Sequence, residues 1–347
     1  MVDLAIIADD LTGALDAAAP FAARGLRTVV ALGVGDLGAA LETGAQIVGV
    51  STDSRDIAPD AARAAVATCI SRLPKGTPIF KKVDSRLKGN IAAELDAIPF
   101  SRGLAIPAIP AFGRWSRDGM LGGVGVAQPI DIIKRLGRHA ANTIIPDAST
   151  QTDIEAALAS IDPDLPIGAR GLAEALAVQM APNANAALTR GLAAPAICVF
   201  GSIDPITLAQ IDALRRGFPG LDYRGAPDGV MSDRTVLKSP LTVIQALPGA
   251  SGVDPRAVAE HLAEALCHLD PPPGATLVIS GGATAQVVLR ALKAFVLELL
   301  GEALPGLPIA RSGGFTVITK SGGFGEPHTL VDLLGQLAGI TRESHVW

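Results

Sequence analysis

The sequence predicts an α/β fold of two domains, each a largely parallel sheet flanked by helices. Three observations predict it. Short, near-continuous apolar runs alternate with Ala- and Leu-rich stretches of helical period almost throughout the chain. At 347 residues the chain exceeds the ~250 residues at which a single core stops growing. The alternation breaks once, over residues 180–195 (MAPNANAALTRGLAAP), and then restarts, which marks a linker.

Each element follows from local chemistry. Residues 4–8, 28–32, 47–52, 79–84, 104–109 and 143–148 are apolar runs that suit strands covered on both faces. After the first, Thr12 can cap a helix that puts Leu15, Ala18, Ala19 and Ala22 on one face and leaves at Gly25. Pro59 opens a helix running to about Leu73. Beyond the linker, residues 196–201 form a strand, and Asp204-Pro205 caps and starts a helix ending at Gly217. Asp254-Pro255 opens the next helix in the same way. A strand over 276–280 then leads into a long amphipathic helix to about Leu300, and a strand over 315–319 precedes a last helix near 329–337.

Composition excludes several classes. Lys and Arg (29) are outnumbered by Asp and Glu (34) and form no long run, which argues against a nucleic-acid partner. With 49% hydrophobic and 18% charged residues the chain is not disordered. Only 3% is aromatic, so Ala, Val, Leu and Ile must build the core. Cys69, Cys198 and Cys267 are odd in number and far apart, which suggests small core residues in a reducing compartment. The start Met1-Val2-Asp3 has no basic leader, and apolar stretches such as 103–112 are too short and proline-broken to cross a bilayer. The expected address is cytoplasmic, with no membrane partner. No GxxxxGK[ST], GxSxG or HExxH motif is present.

Three segments carry chemistry. Asp9 and Asp10 directly follow the first strand, where open parallel sheets bind ligands, and can engage substrate hydroxyls or accept a proton. A helix cap beside a solvated acid is the competing structural reading. Lys75, Lys81, Lys82, Arg86 and Lys88 surround a single acid, Asp84, and this cation excess marks an anion site for a carboxylate or phosphate. Arg55 joins that pocket if its strand is a neighbour. Gly281-Gly282-Ala283-Thr284 and Ser321-Gly322-Gly323 each follow a strand, where small residues let backbone approach a phosphate closely.

Taken in order, seven segments resemble the four-carbon acid sugar kinase family, which phosphorylates threonate-, erythronate- and 3-oxo-tetronate-type substrates. They are IIADDLTGALDAAAPFAARG (6–25), STDSR (51–55), KKVDSRLKGN (81–90), PAIPAFGRWSRDG (107–119), FGSIDPITLAQI (200–211), SGGAT (280–284) and TKSGGFG (319–325). The resemblance implies an acid-sugar domain over 1–185 and a nucleotide-binding domain over 196–340, using ATP and Mg²⁺. It implies an acid-sugar site at Asp9, Asp10, Arg55, Lys82, Asp84 and Arg114, to which the cation cluster adds Arg86. It implies an ATP site at Ser202, Gly281, Gly282, Thr284, Gly322 and Gly323, with Ala283 in the same turn. Asp10 and Asp9 are then the catalytic pair, Asp10 orienting or deprotonating the attacking hydroxyl and Asp9 serving as a second contact or metal ligand; the metal's ligands are not otherwise identified. The chain departs from the family pattern at Arg86, Lys88, Ala283 and Arg170, and of these Arg86 and Arg170 bear on the size and charge of the sugar pocket and so on which acid is accepted. The expected function is an ATP-dependent kinase acting on a hydroxyl of a small sugar acid, with a homodimer allowed. A non-catalytic sensor of acid sugar or nucleotide is the alternative, and a dehydrogenase on the same α/β plan is a second rival.

Overall fold

The apolar runs that open the chain and its second half, Leu4–Ala8 and Ala196–Phe200, are buried along their whole length, and each sits in the middle of a sheet. In the computed structural model, residues 2–189, 191–232, 237–249 and 252–337 are described. Arg190 of the expected linker and residues 338–340 of the expected second domain lie outside them. The chain divides into two units, Met1–Ala187 and Leu188–Trp347.

The strands of the first unit are β1 (Leu4–Ala8), β2 (Thr28–Ala31), β3 (Ile47–Ser51), β4 (Ile79–Lys82), β5 (Gly103–Ile106), β6 (Arg114–Arg117), β7 (Met120–Gly123), β8 (Ile130–Asp131), β9 (Thr143–Ile144) and β10 (Leu165–Gly168). Its helices are α1 (Leu11–Ala23), α2 (Leu37–Glu42), α3 (Pro59–Arg72), α4 (Ile91–Leu95), α5 (Ile132–Leu136), α6 (Gln151–Ile161) and α7 (Arg170–Met180). Seven strands run in the order β2-β3-β1-β4-β10-β5-β9, all parallel. The chain leaves β1 toward β2 and β3 on one side and returns to β4 on the other. This reversal is the switch point at which open α/β sheets leave a crevice. β6, β7 and β8 form a separate antiparallel sheet.

The second unit follows the same plan with β11 (Ala196–Phe200), β12 (Asp222–Pro227), β13 (Leu241–Leu247), β14 (Thr276–Ser280), β15 (Val296–Leu304), β16 (Leu307–Ser312) and β17 (Phe315–Lys320). Its helices are α8 (Pro205–Gly217), α9 (Pro255–His268), α10 (Gly282–Ala291) and α11 (Thr329–Leu334). The order β12-β13-β11-β14-β17-β16-β15 again puts the first strand inside, with the switch between β11 and β14. β11 to β14 and β17 are parallel, whereas β15-β16 and β16-β17 are antiparallel.

Several expectations are corrected. The helix expected to reach Leu300 ends at Ala291, where Lys293 takes φ +58° and Ala294 N–H closes on the Leu289 carbonyl. The Leu- and Glu-rich segment after it pairs with β16 as a strand, so sheet pairing overrides helix propensity. The helix after β1 is capped by Asp10, whose side chain accepts from Gly13 N at 2.7 Å; the Thr12 hydroxyl donates to Asp10 instead. The strand expected over 143–148 stops at Ile144, two residues before Pro146. Cys69 and Cys198 are buried, but Cys267 is exposed on α9. Among the described residues no helix is long and apolar enough to cross a membrane.

The second unit's core tests this packing. Leu214 of α8 is fully buried with Phe200, Ile211, Val278 and Leu330. Leu214→Ala should lower stability by about 2–5 kcal/mol in urea denaturation. A loss under about 0.5 kcal/mol is what a surface position shows, and would remove Leu214 from the core.

Candidate active site

The first unit's switch point gathers the ends of three adjacent strands. Asp9 and Asp10 follow β1, residues 52–55 follow β3, and Val83-Asp84 follow β4. Arg55 reaches across to all three acids. Its Nε and one terminal nitrogen donate to the two oxygens of Asp9, both at 2.8 Å, in a bidentate fork. Its other terminal nitrogen donates to Asp10 Oδ2 at 2.7 Å, and Asp84 lies at 3.5 Å. Arg55 joins the pocket although its strand is not a neighbour of β4: β1 lies between β3 and β4, and the side chain reaches past it to Asp84.

Electrostatics separates the three acids. Burial raises the Asp10 carboxyl above the ordinary carboxylate range, with Asp9 adding to the rise; Arg55, Lys82 and the Gly13 N–H pull the other way without reversing it. Burial also acts on Asp84, but Arg55, Lys82 and the N–H groups of Arg86 and Lys88 outweigh it and hold Asp84 low. Burial alone would lower Arg55, yet the Asp9 hydrogen bond and the three carboxylates raise it, so it stays charged. Asp10 accepts three hydrogen bonds, from Gly13, Thr12 and Arg55. A carboxylate offers about four acceptor sites, so one remains.

The cation cluster is smaller than the sequence suggests. Lys75 lies in the turn before β4, at the other end of the strand. Lys81 alternates away from Lys82 along the strand and is fully buried, paired with Glu94 Oε2 at 3.0 Å; the two side chains are 0% and 1% exposed. Lys82 stays at the site: its Nζ donates to the Val83 carbonyl at 2.8 Å, and its charge acts on both Asp10 and Asp84. Arg114, at the start of β6, donates to Ser85 Oγ at 2.6 Å and to the Val124 carbonyl at 2.9 Å. Burial and the like charge of Arg86 lower Arg114, against the pull of Asp84 and Asp16. Arg86 is exposed and its charge reaches Arg114, and two like charges that act on each other favour an anion between them. Arg170 is 4% exposed and is paired with Asp16 at 3.1 Å and Glu174 at 2.8 Å.

Sequence reasoning missed the supports beneath this site. Glu94 accepts from Ser54 Oγ as well as Lys81, and Ser54 is itself bonded to Thr52. Asn90 ties the loop after β4 to the loop after β3 by donating to the Ser54 and Ile57 carbonyls at 2.9 and 2.8 Å. Gly89, at φ +86°, packs on the ion pair: a Cβ there would lie 3.0 Å from Asp9 Oδ2 and 3.5 Å from Arg55 Cα. Lys81 and Asn90 stood inside a segment already singled out, but no spacing in it marks one lysine as buried.

The second unit gathers the remaining candidates. β11, β14 and β17 lie side by side and end in register at Phe200, Ser280 and Lys320. Ser202, the turn Gly281-Gly282-Ala283-Thr284, and Gly322-Gly323 follow those three ends. Gly281 has φ +103°, and a Cβ there would approach Thr284 Oγ1 at 3.4 Å and Ser202 N at 3.9 Å. A Cβ on Gly322 would collide with Ser202 Oγ, and one on Gly323 would lie 2.9 Å from Asp204 Oδ2. Ser280 Oγ is buried at the end of β14 with no hydrogen-bond partner among the described residues. Three strand ends, bare backbone and the N-termini of α8 and α10 make a cradle suited to phosphate groups. Among the described residues no cluster of three His, Cys, Asp or Glu side chains is placed to hold a metal ion.

Two family models match the chain, one in each unit. Residues 4–129 match the sugar-binding N-terminal domain family, and residues 224–330 match the nucleotide-binding C-terminal domain family. The first range contains Asp9, Asp10, Arg55, Lys82, Asp84, Arg86 and Arg114; the second contains both glycine turns but not Ser202. The chain is 29% identical to a D-threonate kinase of Cupriavidus necator, over 94% of this chain and 95% of that one. It is 27% identical to a 3-oxo-tetronate kinase of Methylobacterium radiotolerans, over 93% of this chain and 96% of that one. A crystal structure of a Salmonella typhimurium LT2 protein shares the fold with a TM-score of 0.75 at 19% identity, covering 95% of this chain and 98% of that chain. With both halves matched and relatives aligned nearly end to end, the chain belongs to the four-carbon acid sugar kinase family.

Proposed function

We propose that this protein is an ATP-dependent kinase that phosphorylates a hydroxyl of a four-carbon sugar acid such as threonate, erythronate or 3-oxo-tetronate. The observation that carries the reading is the first unit's switch point, where paired carboxylates on a single guanidinium sit beside Lys82 and the Arg86/Arg114 pair. A sugar acid presents those two features, hydroxyls and a carboxylate. The relatives' kinase names and the nucleotide-binding match support the same chemistry.

Phosphoryl transfer asks a protein for positioning and charge neutralisation more than for covalent chemistry. Arg86, Arg114 and Lys82 hold the substrate carboxylate. Arg55 fixes Asp9 and Asp10, and Asp9, the more buried of the two, orients the acid's hydroxyls. Asp10, more exposed and with an acceptor site to spare, takes the proton from the attacking oxygen. Ser202, Gly281, Gly282, Ala283, Thr284, Gly322 and Gly323 receive the ATP phosphates through backbone N–H groups and hydroxyls. Mg²⁺ would arrive with the nucleotide, since the described residues offer no cluster of their own for it, and would supply charge neutralisation during transfer.

The reading is tested by incubating the enzyme with ATP and a panel of four-carbon sugar acids and following ADP release and the phosphorylated acid. Turnover of at least one is expected. Binding of acid and ATP with no turnover of any would make the protein a sensor instead.

Two substitutions assign roles. Asp10→Asn should lower kcat by about 10²–10⁴-fold, toward the lower end because a loose transition state needs little early deprotonation, with ATP affinity unchanged. If Asp9→Asn shows that loss and Asp10→Asn does not, the two roles are exchanged; if neither does, the pair is structural. Because Asp10 is held above the ordinary value of 3.8, it ionises late, so kcat/KM should rise with pH through a pKa above that value. Asp10→Asn should abolish that acid limb. Lys82→Ala should raise the KM of the acid while leaving ATP affinity within about twofold, since removing a charged hydrogen-bonding partner is worth about 1.5–3 kcal/mol. An equal loss for both ligands would remove Lys82 from the acid's site.

A further inference from the structure

Lys320, the last residue of β17, is a lysine inside the protein, 1% exposed. Its Nζ lies 2.8 Å from the Ser321 and Gly322 carbonyls, 3.2 Å from the Phe324 carbonyl and 3.2 Å from Thr207 Oγ1. Four acceptors for three protons fully occupy the ammonium. None is a carboxylate: Asp204 is the acid whose charge acts on Lys320, and no ion pair forms among the described residues. Burial pushes Lys320 down to about 8, as expected for an ammonium held by neutral dipoles.

The same loop is gripped from α8. Thr207 Oγ1 donates to the Gly322 carbonyl at 2.7 Å. Gln210 Nε2 donates to the Phe324 and Glu326 carbonyls at 3.0 and 2.9 Å, and both α8 side chains are fully buried. Three buried donors from two elements thus take up the loop's carbonyls. Among the described residues, the N–H groups of Ser321, Gly322 and Gly323 make no hydrogen bond.

We propose that Lys320 is the positioning residue of the nucleotide-phosphate loop. It draws the carbonyls of Ser321, Gly322 and Phe324 toward itself, which leaves three successive N–H groups to receive phosphate oxygens, and its unpaired charge complements the anion bound there. A buried cation whose one interacting acid, Asp204, makes no ion pair with it costs stability in the ligand-free protein. A bound polyphosphate offsets that cost, so the charge contributes selectively to nucleotide binding. The inference rests on the reading of the strand-end turns as the ATP site, and extends it to a residue that touches the loop rather than the ligand.

The test compares Lys320→Met, Thr207→Val and Gly322→Val by calorimetry with ATP and, separately, with the sugar acid. Lys320→Met should weaken ATP binding by about 10–100-fold, the equivalent of losing a charged hydrogen-bond donor, with acid affinity within about twofold. Thr207→Val keeps shape and removes one tether, and should weaken ATP binding by a smaller factor, about 3–10-fold. Should Lys320→Met fail to fold, Thr207→Val decides: unchanged ATP affinity overturns the proposal. Equal loss of ATP and acid affinity in a folded Lys320→Met overturns it too, because general destabilisation would then explain both. If Gly322→Val loses ATP binding while the other two variants keep it, the loop binds nucleotide but Lys320 does not organise it. If Gly322→Val also binds ATP normally, the ATP-site reading itself fails.

Discussion

Three carboxylates cannot share one crevice away from water without a cation among them, and Arg55 is that cation. Its fork holds Asp9 on two bonds and Asp10 on one while facing Asp84, which ties the ends of β1, β3 and β4 together. The arrangement exists because parallel pairing of β1 with both β3 and β4 brings three loops to one end of the sheet. Arg55 in turn needs a fixed loop, and Glu94, Lys81, Ser54 and Asn90 fix it from below. Replacing a buried ion pair such as Lys81–Glu94 by apolar residues is often neutral for stability. Here its use is placement: Glu94 takes the Ser54 hydroxyl, one residue before Arg55.

The second unit solves the opposite electrostatic problem on the same topology. Where the first unit collects acids and supplies a guanidinium, the second presents bare backbone and keeps its cation underneath. Lys320, Thr207 and Gln210 consume carbonyls, so the polarity left at the surface of the loop is that of N–H groups. Acids at one switch point suit hydroxyls; amides at the other suit phosphates. The difference lies in the residues at the strand ends, since both sheets place the first strand inside and reverse direction beside it.

Much of this was legible in the sequence, and the exceptions have physical causes. Continuous apolar runs located β1, β11 and β14 because strands buried on both faces leave no other pattern. Asp-Pro pairs located the starts of α8 and α9, since a capping carboxylate before a proline has few other uses. The segment 296–304 was misread because Leu and Glu favour helix locally, and only pairing with β16 and the left-handed Lys293 make it a strand. The short sheet of β6, β7 and β8 was missed for a similar reason, being too brief to show a period. Among the candidate site residues, position after a strand was a sound guide: Asp9, Asp10, Arg55, Lys82 and Asp84 do converge. Charge counting was a poor one. It grouped Lys81 with Lys82 although alternation along β4 sends them to opposite faces, and it included Lys75, a strand's length away.

Asp10 joins the fold to the proposed chemistry. It is the N-cap of α1, and a helix N-terminus favours an ionised carboxylate there. Burial and the neighbouring Asp9 oppose that charge and prevail, leaving the group easier to protonate than an ordinary aspartate. A base of this kind is more willing to take a proton than one held flat by salt bridges, as Asp84 is. Capping and proton acceptance therefore do not compete. The cap bond to Gly13 uses Oδ1 and sets the carboxylate's direction, and Thr12 and Arg55 fix Oδ2, so the remaining acceptor site has an orientation determined by α1 and β3 before any substrate arrives. Such pre-set geometry is what makes a positioned base effective. The structural and catalytic readings of the Asp9-Asp10 pair thus describe one arrangement, in which the cap supplies the aim and the imperfectly compensated burial supplies the basicity.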